Sequence, residues 1–269
     1  MKLACTDSVL PEGSYTQKAA FLKEVGFDGM AVFAEPASWN DKLMGELLDL
    51  KKNTGISCCE FVFMGDVYGH LMDRNPVVQR QAIDLYKESI AICNELGAIT
   101  EMEYQYCPQD PLPLFEPYLK MPEDEQKVFI DIIHEFDSVL KDGAYMLIEG
   151  CNRYETRYLN CLADCKEMVL KAGAKHVGLL ADFFHMAIEE RDLAQSILDC
   201  GSLIKHVHIG DSNRLAPGKG HTDWESSMAA LKQIGFTGYA NMECNLSGDL
   251  KQELLRIRKF FDDIEAKLC

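Results

Sequence analysis

Apolar residues in this chain fall into two alternating kinds of stretch. Short, nearly continuous apolar runs predict strands at Lys2–Thr6, Gly29–Ala34, Ser57–Met64, Ala98–Gln105, Ala144–Cys151, Val177–His185, Ile204–Asp211 and Tyr239–Asn245. Runs of this kind suit strands buried on both faces. Between them, apolar positions recur every three or four residues. That spacing predicts helices at Tyr15–Val25, Lys42–Lys52, Pro76–Leu96, Glu123–Leu140, Thr156–Lys171, Arg191–Asp199, Trp224–Ile234 and Lys251–Leu268. In the longest, Ala82, Leu85, Ile90 and Cys93 form the apolar stripe, and Pro76 suits the first turn. Four helices lead into the next strand through a glycine exit, in VGFDG, LGAIT, AGAKH and IGFTG. Glycine past the last turn stops a helix, and its recurrence marks a repeated βα unit.

Eight such units in 269 residues match the count and size of an α/β protein with a (β/α)8 TIM-barrel fold, read as a single domain over residues 1–269. A doubly wound open sheet would usually show a glycine-rich phosphate turn after an early strand, and the sequence has none. The segment Tyr106–Pro122 breaks the rhythm with five prolines. It follows the fourth strand, where a barrel carries its active-site loops, and reads as a lid or a subunit-contact loop.

Composition narrows the class. With 47% hydrophobic residues the chain can bury a large core without cross-links. The formal charge of −16, from 43 acidic against 27 basic residues, repels phosphate backbones, so nucleic acid is not an expected partner. The eleven cysteines are odd in number, irregularly spaced and lack any CxxC pair, so neither a disulfide framework nor a zinc ribbon follows. The apolar run in MKLACTDSVLPEG is too short for a signal peptide, and no stretch reaches the length of a membrane span. A reduced, cytoplasmic protein is the expectation.

In a barrel, chemistry belongs at the C-terminal ends of the strands. From strand five onward those ends carry Glu149 in AYMLIEGC, Asp182 in VGLLADFFH, His208 in IKHVHIGD and Glu243 in YANMECN. A lone strand-end carboxylate is more often ion-paired than ligating. Four such groups on consecutive strands converge on one mouth, where a cation would relieve the cost of burying them. Three carboxylates and one imidazole suit Mn²⁺, with Mg²⁺ or Co²⁺ next, better than a structural zinc. His206 lies on the same strand face as His208, one layer deeper, and reads as a core histidine or one supporting the site. His70, His134, His176 and His221 read as loop or surface residues, and the end of strand four reads as bare of ligands. Asp223 is placed to cap a helix beginning at Trp224.

At these residues the chain resembles the xylose-isomerase-like TIM-barrel superfamily of sugar isomerases and epimerases. The likeness is to its ketose 3-epimerase branch, the D-tagatose and D-psicose 3-epimerases. It is carried by IEGCNRYET, DFFHMAIEE, HVHIGDSNRLAPGKGHTDW and NMECN, and more weakly by NPVVQRQAIDLYKESIAICNELGA. The resemblance implies that Glu149, Asp182, His208 and Glu243 bind one divalent metal, and that Glu155, His185 and Arg214 hold substrate oxygens. It covers the C-terminal half. FVFMGDVYGH and EMEYQYCPQ have no such match, so the sugar is open. The family also implies a homodimer or homotetramer.

The chemistry follows from the ligand set. Epimerising a carbon beside a ketone means removing a proton of very high pKa, which a Lewis-acidic metal makes accessible through a stabilised enediolate. Glu149 and Glu243, on opposite sides of that planar species, form the acid/base pair. A sugar isomerase, a phosphopentulose epimerase and an inosose dehydratase or lyase share the first step and stand as alternatives on the same site. An abasic-site DNA endonuclease would need more histidine ligands and a basic face. A non-catalytic sugar-binding barrel would be expected to have lost a ligand, and all four are present.

Overall fold

The computed structural model describes residues 1–105 and 119–268. Eight parallel strands, β1 (Lys2–Thr6), β2 (Gly29–Ala34), β3 (Ser57–Phe63), β4 (Ile99–Met102), β5 (Tyr145–Glu149), β6 (Val177–Asp182), β7 (Ile204–Ile209) and β8 (Tyr239–Met242), pair in sequence order. The barrel closes by pairing of β8 with β1. The helices on its outside are α1 (Tyr15–Glu24), α2 (Asp41–Thr54), α3 (Pro76–Leu96), α4 (Glu123–Asp137), α5 (Leu162–Ala172), α6 (Phe183–Glu189), α7 (Leu193–Cys200), α8 (Trp224–Gln233) and α9 (Leu250–Lys267). The TIM barrel expected from the alternation of patterns is therefore the fold. Among the described residues no helix is long and apolar enough to cross a membrane.

Local signals behave as the sequence predicts. Asn75 caps α3 with Pro76 in its first turn, and Asp223 caps α8 by accepting from the Ser226 amide. The first glycines of the four repeated exits, Gly26, Gly97, Gly173 and Gly235, all have φ between 63° and 79°.

Strand ends are where the expectations overran. The apolar runs predicted strands to Gln105, Cys151, His185, Asp211 and Asn245, whereas the ladders stop at Met102, Glu149, Asp182, Ile209 and Met242. Past those points the chain leaves the barrel and its side chains line the mouth instead of pairing. The largest departure is at β6, where Asp182 caps the short helix α6, so His185 sits on a helix and not on a strand. The α5 segment also begins later than expected, because residues 150–161 form the loop that builds one wall of the mouth. Of the proline-rich Tyr106–Pro122 segment, residues 106–118 lie outside the described residues.

The strands have two buried faces, and their alternation sets the chemistry. Outward residues such as Met146, Ile148, Leu179, Ala181, Val207 and Met242 join the large core beneath the helices. Inward residues form layers: Ile99, Leu147 and Leu180 pack as a small apolar cluster inside the barrel, and polar groups occupy the layers above it. Seven of the nine described cysteines are buried and none is disulfide-bonded.

Strand β8 must approach β7 closely at its entry. A Cβ on Gly238 would lie 2.2 Å from the Lys205 carbonyl oxygen, an atom of the backbone that cannot swing aside. Gly238→Ala is expected to cost about 1–3 kcal/mol through this overpacking. The check is a urea unfolding curve with a lowered midpoint and unchanged slope. An unshifted midpoint would contradict the close approach.

Candidate active site

The inward alternation delivers Asp182 from β6 and His208 from β7 as register partners on neighbouring strands. Glu149 ends β5 and Glu243 follows β8 by one residue. One ligand atom from each of these four residues lies within 4.8 Å of the others. His208 Nδ1 stands 2.9 Å from Glu243 Oε2, 3.5 Å from Glu149 Oε1 and 3.9 Å from Asp182 Oδ2. Those four atoms are buried and none makes a hydrogen bond of good geometry. Four converging, unsatisfied, electron-rich atoms in an oxygen-dominated set are what a hard divalent cation requires. The residues present fit such an ion.

Support from behind this set is not visible in the strand-end pattern. Glu60, in the middle of β3, places its carboxylate oxygens each 3.1 Å from His208 Nε2 and one of them 3.3 Å from His206 Nε2. Burial would raise the Glu60 carboxyl, but the two facing imidazoles outweigh it and hold it well below the carboxylate range. Its charge orients the imidazole so that Nδ1 faces the cluster, the carboxylate–histidine arrangement that steadies a metal ligand. Asn241 on β8 donates to Thr6 Oγ1 at 3.0 Å and approaches Glu60 Oε2 at 3.4 Å, completing a buried polar layer. His206 thus lies one layer below the mouth, as its spacing predicts.

Asp182 serves two purposes. Its Oδ1 accepts from the His185 amide at the start of α6, which leaves Oδ2 for the cluster. Burial first, then the charges of Glu243 and Glu149, push its carboxyl up to about 7 despite the opposing His185 and Arg214. Glu243 goes the other way: partial burial is outweighed by His208 and Arg214, and the carboxyl is drawn down to about 2.

The expected substrate-holding residues meet on one side of the same mouth. The Asn152 amide donates to His185 Nδ1 at 3.1 Å, which puts the ring proton on Nε2. Arg214 Nη1 lies 3.2 Å from that Nε2, so two donors face each other with no acceptor between them. Asn152 also donates through Nδ2 to Glu155 Oε1 at 2.8 Å, tying Glu155 to the group. The Arg214 guanidinium donates to Glu243 Oε1 at 2.8 Å and lies 4.6 Å above the Phe184 ring.

Arg214 reaches this position through strained backbone, at φ 57° in the left-handed region. The loop around it is held from inside by Asp211. That fully buried carboxylate accepts from the amides of Ser212, Gly218 and Thr222 and from Trp224 Nε1. The loop is also stitched to the exit of β8, where the Asn245 amide donates to the Arg214 carbonyl at 2.8 Å.

The fourth strand end is not bare, which corrects the expectation. Glu101 on β4 and Glu103 just beyond it are buried and line the mouth beside Glu149. Burial first and then the Glu149 charge push both carboxyls well above the usual range. Their E-x-E spacing looks like ordinary polar alternation, and only the closed barrel shows that this face is the interior. The other four histidines stay away from the described mouth. His70 pairs with Asp73, His176 with Asp137 and Asp142, His134 with the Ala172 carbonyl, and His221 is exposed.

The cavity over these groups is about 760 Å³. With the mouth described, its relatives can be compared. The xylose isomerase-like TIM barrel family model matches residues 19–261. The chain belongs to this family. It is 25% identical over 248 residues to the 3-dehydro-D-guloside 4-epimerase of Escherichia coli K12, covering 90% of this chain and 92% of that protein. A shorter stretch of 96 residues is 41% identical to the D-psicose 3-epimerase of Enterocloster bolteae, 36% of this chain and 32% of that one. A D-psicose 3-epimerase of Clostridium cellulolyticum H10, solved with D-tagatose, shares the fold at a TM-score of 0.82 and 21% identity, over 98% of this chain and 99% of its own. Family and relatives make the chain an enzyme of the sugar epimerase and isomerase class.

Asp211 offers a pH test of the arginine loop. Burial would raise its carboxyl, but hydrogen bonds from Trp224, Thr222 and Ser212 bring it from 3.8 down to about 2. A depressed carboxylate stabilises fully above its ordinary value and loses that effect as pH falls through the folded value. Asp211→Asn is therefore expected to be less stable than wild type at pH 7, with the gap narrowing from pH 4 toward pH 2. Denaturant titrations across that range measure it, and a gap independent of pH would refute the assignment.

Proposed function

We propose that this enzyme epimerises a ketose at C3 by proton abstraction and return through an enediolate, with one divalent cation held by Glu149, Asp182, His208 and Glu243. The supporting observation is the convergence of their four unsatisfied ligand atoms at the mouth of the barrel. Mn²⁺ is the ion we favour, with Mg²⁺ and Co²⁺ able to use the same oxygen-rich set. Such an ion supplies Lewis acidity to the substrate carbonyl and so makes the neighbouring C–H more acidic.

The remaining work falls to the chain's own residues. Glu149 on β5 and Glu243 beyond β8 approach the mouth from different sides, and they are the acid/base pair of this reading. One takes the C3 proton from one face of the sugar, and the other returns a proton to the opposite face. Arg214 Nη1 and His185 Nε2, two donors 3.2 Å apart, form a clamp for one sugar oxygen, which would accept from both. Glu155, held by Asn152, accepts from a hydroxyl beside that clamp. The Arg214–Glu243 pair also couples the clamp to one member of the acid/base pair, so substrate binding and proton transfer share a hydrogen bond.

The relative named for 4-epimerisation of a 3-dehydro sugar makes a second reading worth testing, since the same machinery placed against C4 of a sugar whose carbonyl lies at C3 would epimerise there. In both readings the substrate is a sugar, and a cytoplasmic homo-oligomer remains part of the proposal.

The deciding experiment incubates Mn²⁺-loaded enzyme with 2-ketoses and, separately, with 3-keto sugars in D₂O and follows deuterium and stereochemistry by NMR. Deuterium at C3 together with the C3 epimer is the expected result. Exchange confined to C4 of the 3-keto sugars would shift the assignment to 4-epimerisation, and no exchange in either class with metal bound would sink both. Glu149→Gln and Glu243→Gln are each expected to lower kcat by at least about 100-fold, the scale of a lost acid/base group. Metal retention has to be confirmed for each variant.

Glu60→Gln tests the support behind His208. It is expected to weaken Mn²⁺ binding about 10–100-fold by isothermal titration calorimetry. Wild-type affinity in this variant would remove Glu60 from the metal site.

A further inference from the structure

The N-terminal end of the barrel, opposite the mouth, holds a second cavity of about 600 Å³, a size usual for small-molecule sites. Six of the eight strands line it with their first residue, among them Lys2 of β1, Tyr145 of β5 and Tyr239 of β8. At its inner end it reaches His206, whose Nε2 lies 3.3 Å from Glu60. None of the groups assigned to the reaction lines it.

Charge sets this cavity apart. The chain carries −16 overall, yet three lysines and a single carboxylate line the space. That carboxylate, Glu95, is already paired with Lys141 at 3.2 Å. Lys2, Lys51 and Lys205 have no carboxylate partner among the described residues. Lys2 Nζ lies 4.2 Å from the centre of the Tyr239 ring, and Lys205 Nζ lies 5.4 Å from that of Tyr145. An aromatic face attracts an ammonium group without neutralising it. Lys51 stands in the last turn of α2, where it also complements the helix end. That ordinary role cannot extend to Lys2 and Lys205, which stand on strands. The cavity is thus a local reversal of the field of an acidic protein.

Its walls narrow the ligand further. Leu47, Ile234 and Phe236 supply apolar surface, and Ser57, Ser202 and Thr237 supply hydroxyl donors. A bare anion would use the lysines and leave the apolar wall idle. A hydrocarbon would leave the ammonium groups stranded. A phosphate monoester uses both, because its dianion can meet more than one lysine while its organic part covers the wall.

We propose that the N-terminal end of the barrel binds a small organic phosphate, with Lys2, Lys51 and Lys205 holding the dianion and Leu47, Ile234 and Phe236 facing the organic part. The site is separate from the reaction centre and stands whether or not the epimerase reading does.

The test is calorimetric titration of Mn²⁺-loaded, full-length enzyme with phenyl phosphate, sulfate and benzoate in dilute salt. Wild type is expected to bind one phenyl phosphate per chain, at least about fivefold more tightly than either sulfate or benzoate. Lys2→Gln combined with Lys205→Gln should weaken that binding by at least about tenfold. Lys2→Arg with Lys205→Arg keeps both charges and should hold affinity within about threefold, which guards against a folding defect. Lys42→Gln, at the other end of the helix that carries Lys51, removes the same charge outside the cavity and should leave binding unchanged.

Absence of saturable binding in wild type overturns the proposal, as does equal binding by wild type and the glutamine double variant. Binding lost in Arg214→Gln but kept in the lysine variants would place the anion at the mouth and overturn it as well. Sulfate as tight as phenyl phosphate would remove the organic part of the assignment, and benzoate as tight would remove the phosphate. None of these readings needs turnover, so failure of the ketose assay leaves them unaffected.

Discussion

Buried negative charge is the constraint on which this site is built. Glu60, Glu101, Glu103, Glu149, Asp182 and Glu243 gather in and above one layer of a barrel, with three imidazoles and one guanidinium near them. Water cannot screen them there, so each carboxylate has to be matched by a specific partner or become neutral. The matching is directional. Glu60 takes the inner side of His208, Arg214 takes Glu243 from the loop side, and the four atoms left over point at one another. That remainder fits a cation. A sequence that packed this layer with leucine and valine would be easier to stabilise and would have no chemistry.

The opposing shifts of neighbouring carboxyls follow from the same crowding. Glu243 has the imidazole and the guanidinium beside it and is drawn down, whereas Asp182 is pushed up by its burial first, with the charges of Glu243 and Glu149 adding to it. Groups of one chemical type thus differ in proton affinity because of which strand each stands on. This separation between similar groups is what acid/base chemistry needs.

The barrel was legible because its signals are local and repeated: apolar runs, helical stripes and glycine exits recur in each βα unit. Residues at the ends of β5 to β8 were legible for a related reason, since a lone polar side chain interrupts an apolar run there. Glu60 interrupts CCEFVF in the same way, but it sits in mid-strand and not at the strand's end. Glu101 and Glu103 were hidden by their alternation, which cannot distinguish a solvent face from a barrel interior until the sheet closes. Asn152 and Asp211 carry no signal of their own, because each acts by bonding backbone and side chains that only the fold brings within reach. The displacement of His185 onto α6 has a local cause, the capping of that helix by Asp182, which is itself one of the converging residues.

The loop that carries Arg214 is fastened from both ends, by Asp211 beneath it and by Asn245 beside it. Its arginine is therefore ordered before any sugar arrives, stacked on Phe184 and bonded to Glu243. Ordering a long side chain on binding would otherwise cost on the order of 1 kcal/mol in lost rotamer freedom. Here folding has already met that entropic cost, drawn from the stability of the whole domain. In the proposed reading the clamp is therefore set in the same place for every sugar, and differences in affinity among sugars arise at the other walls of the cavity.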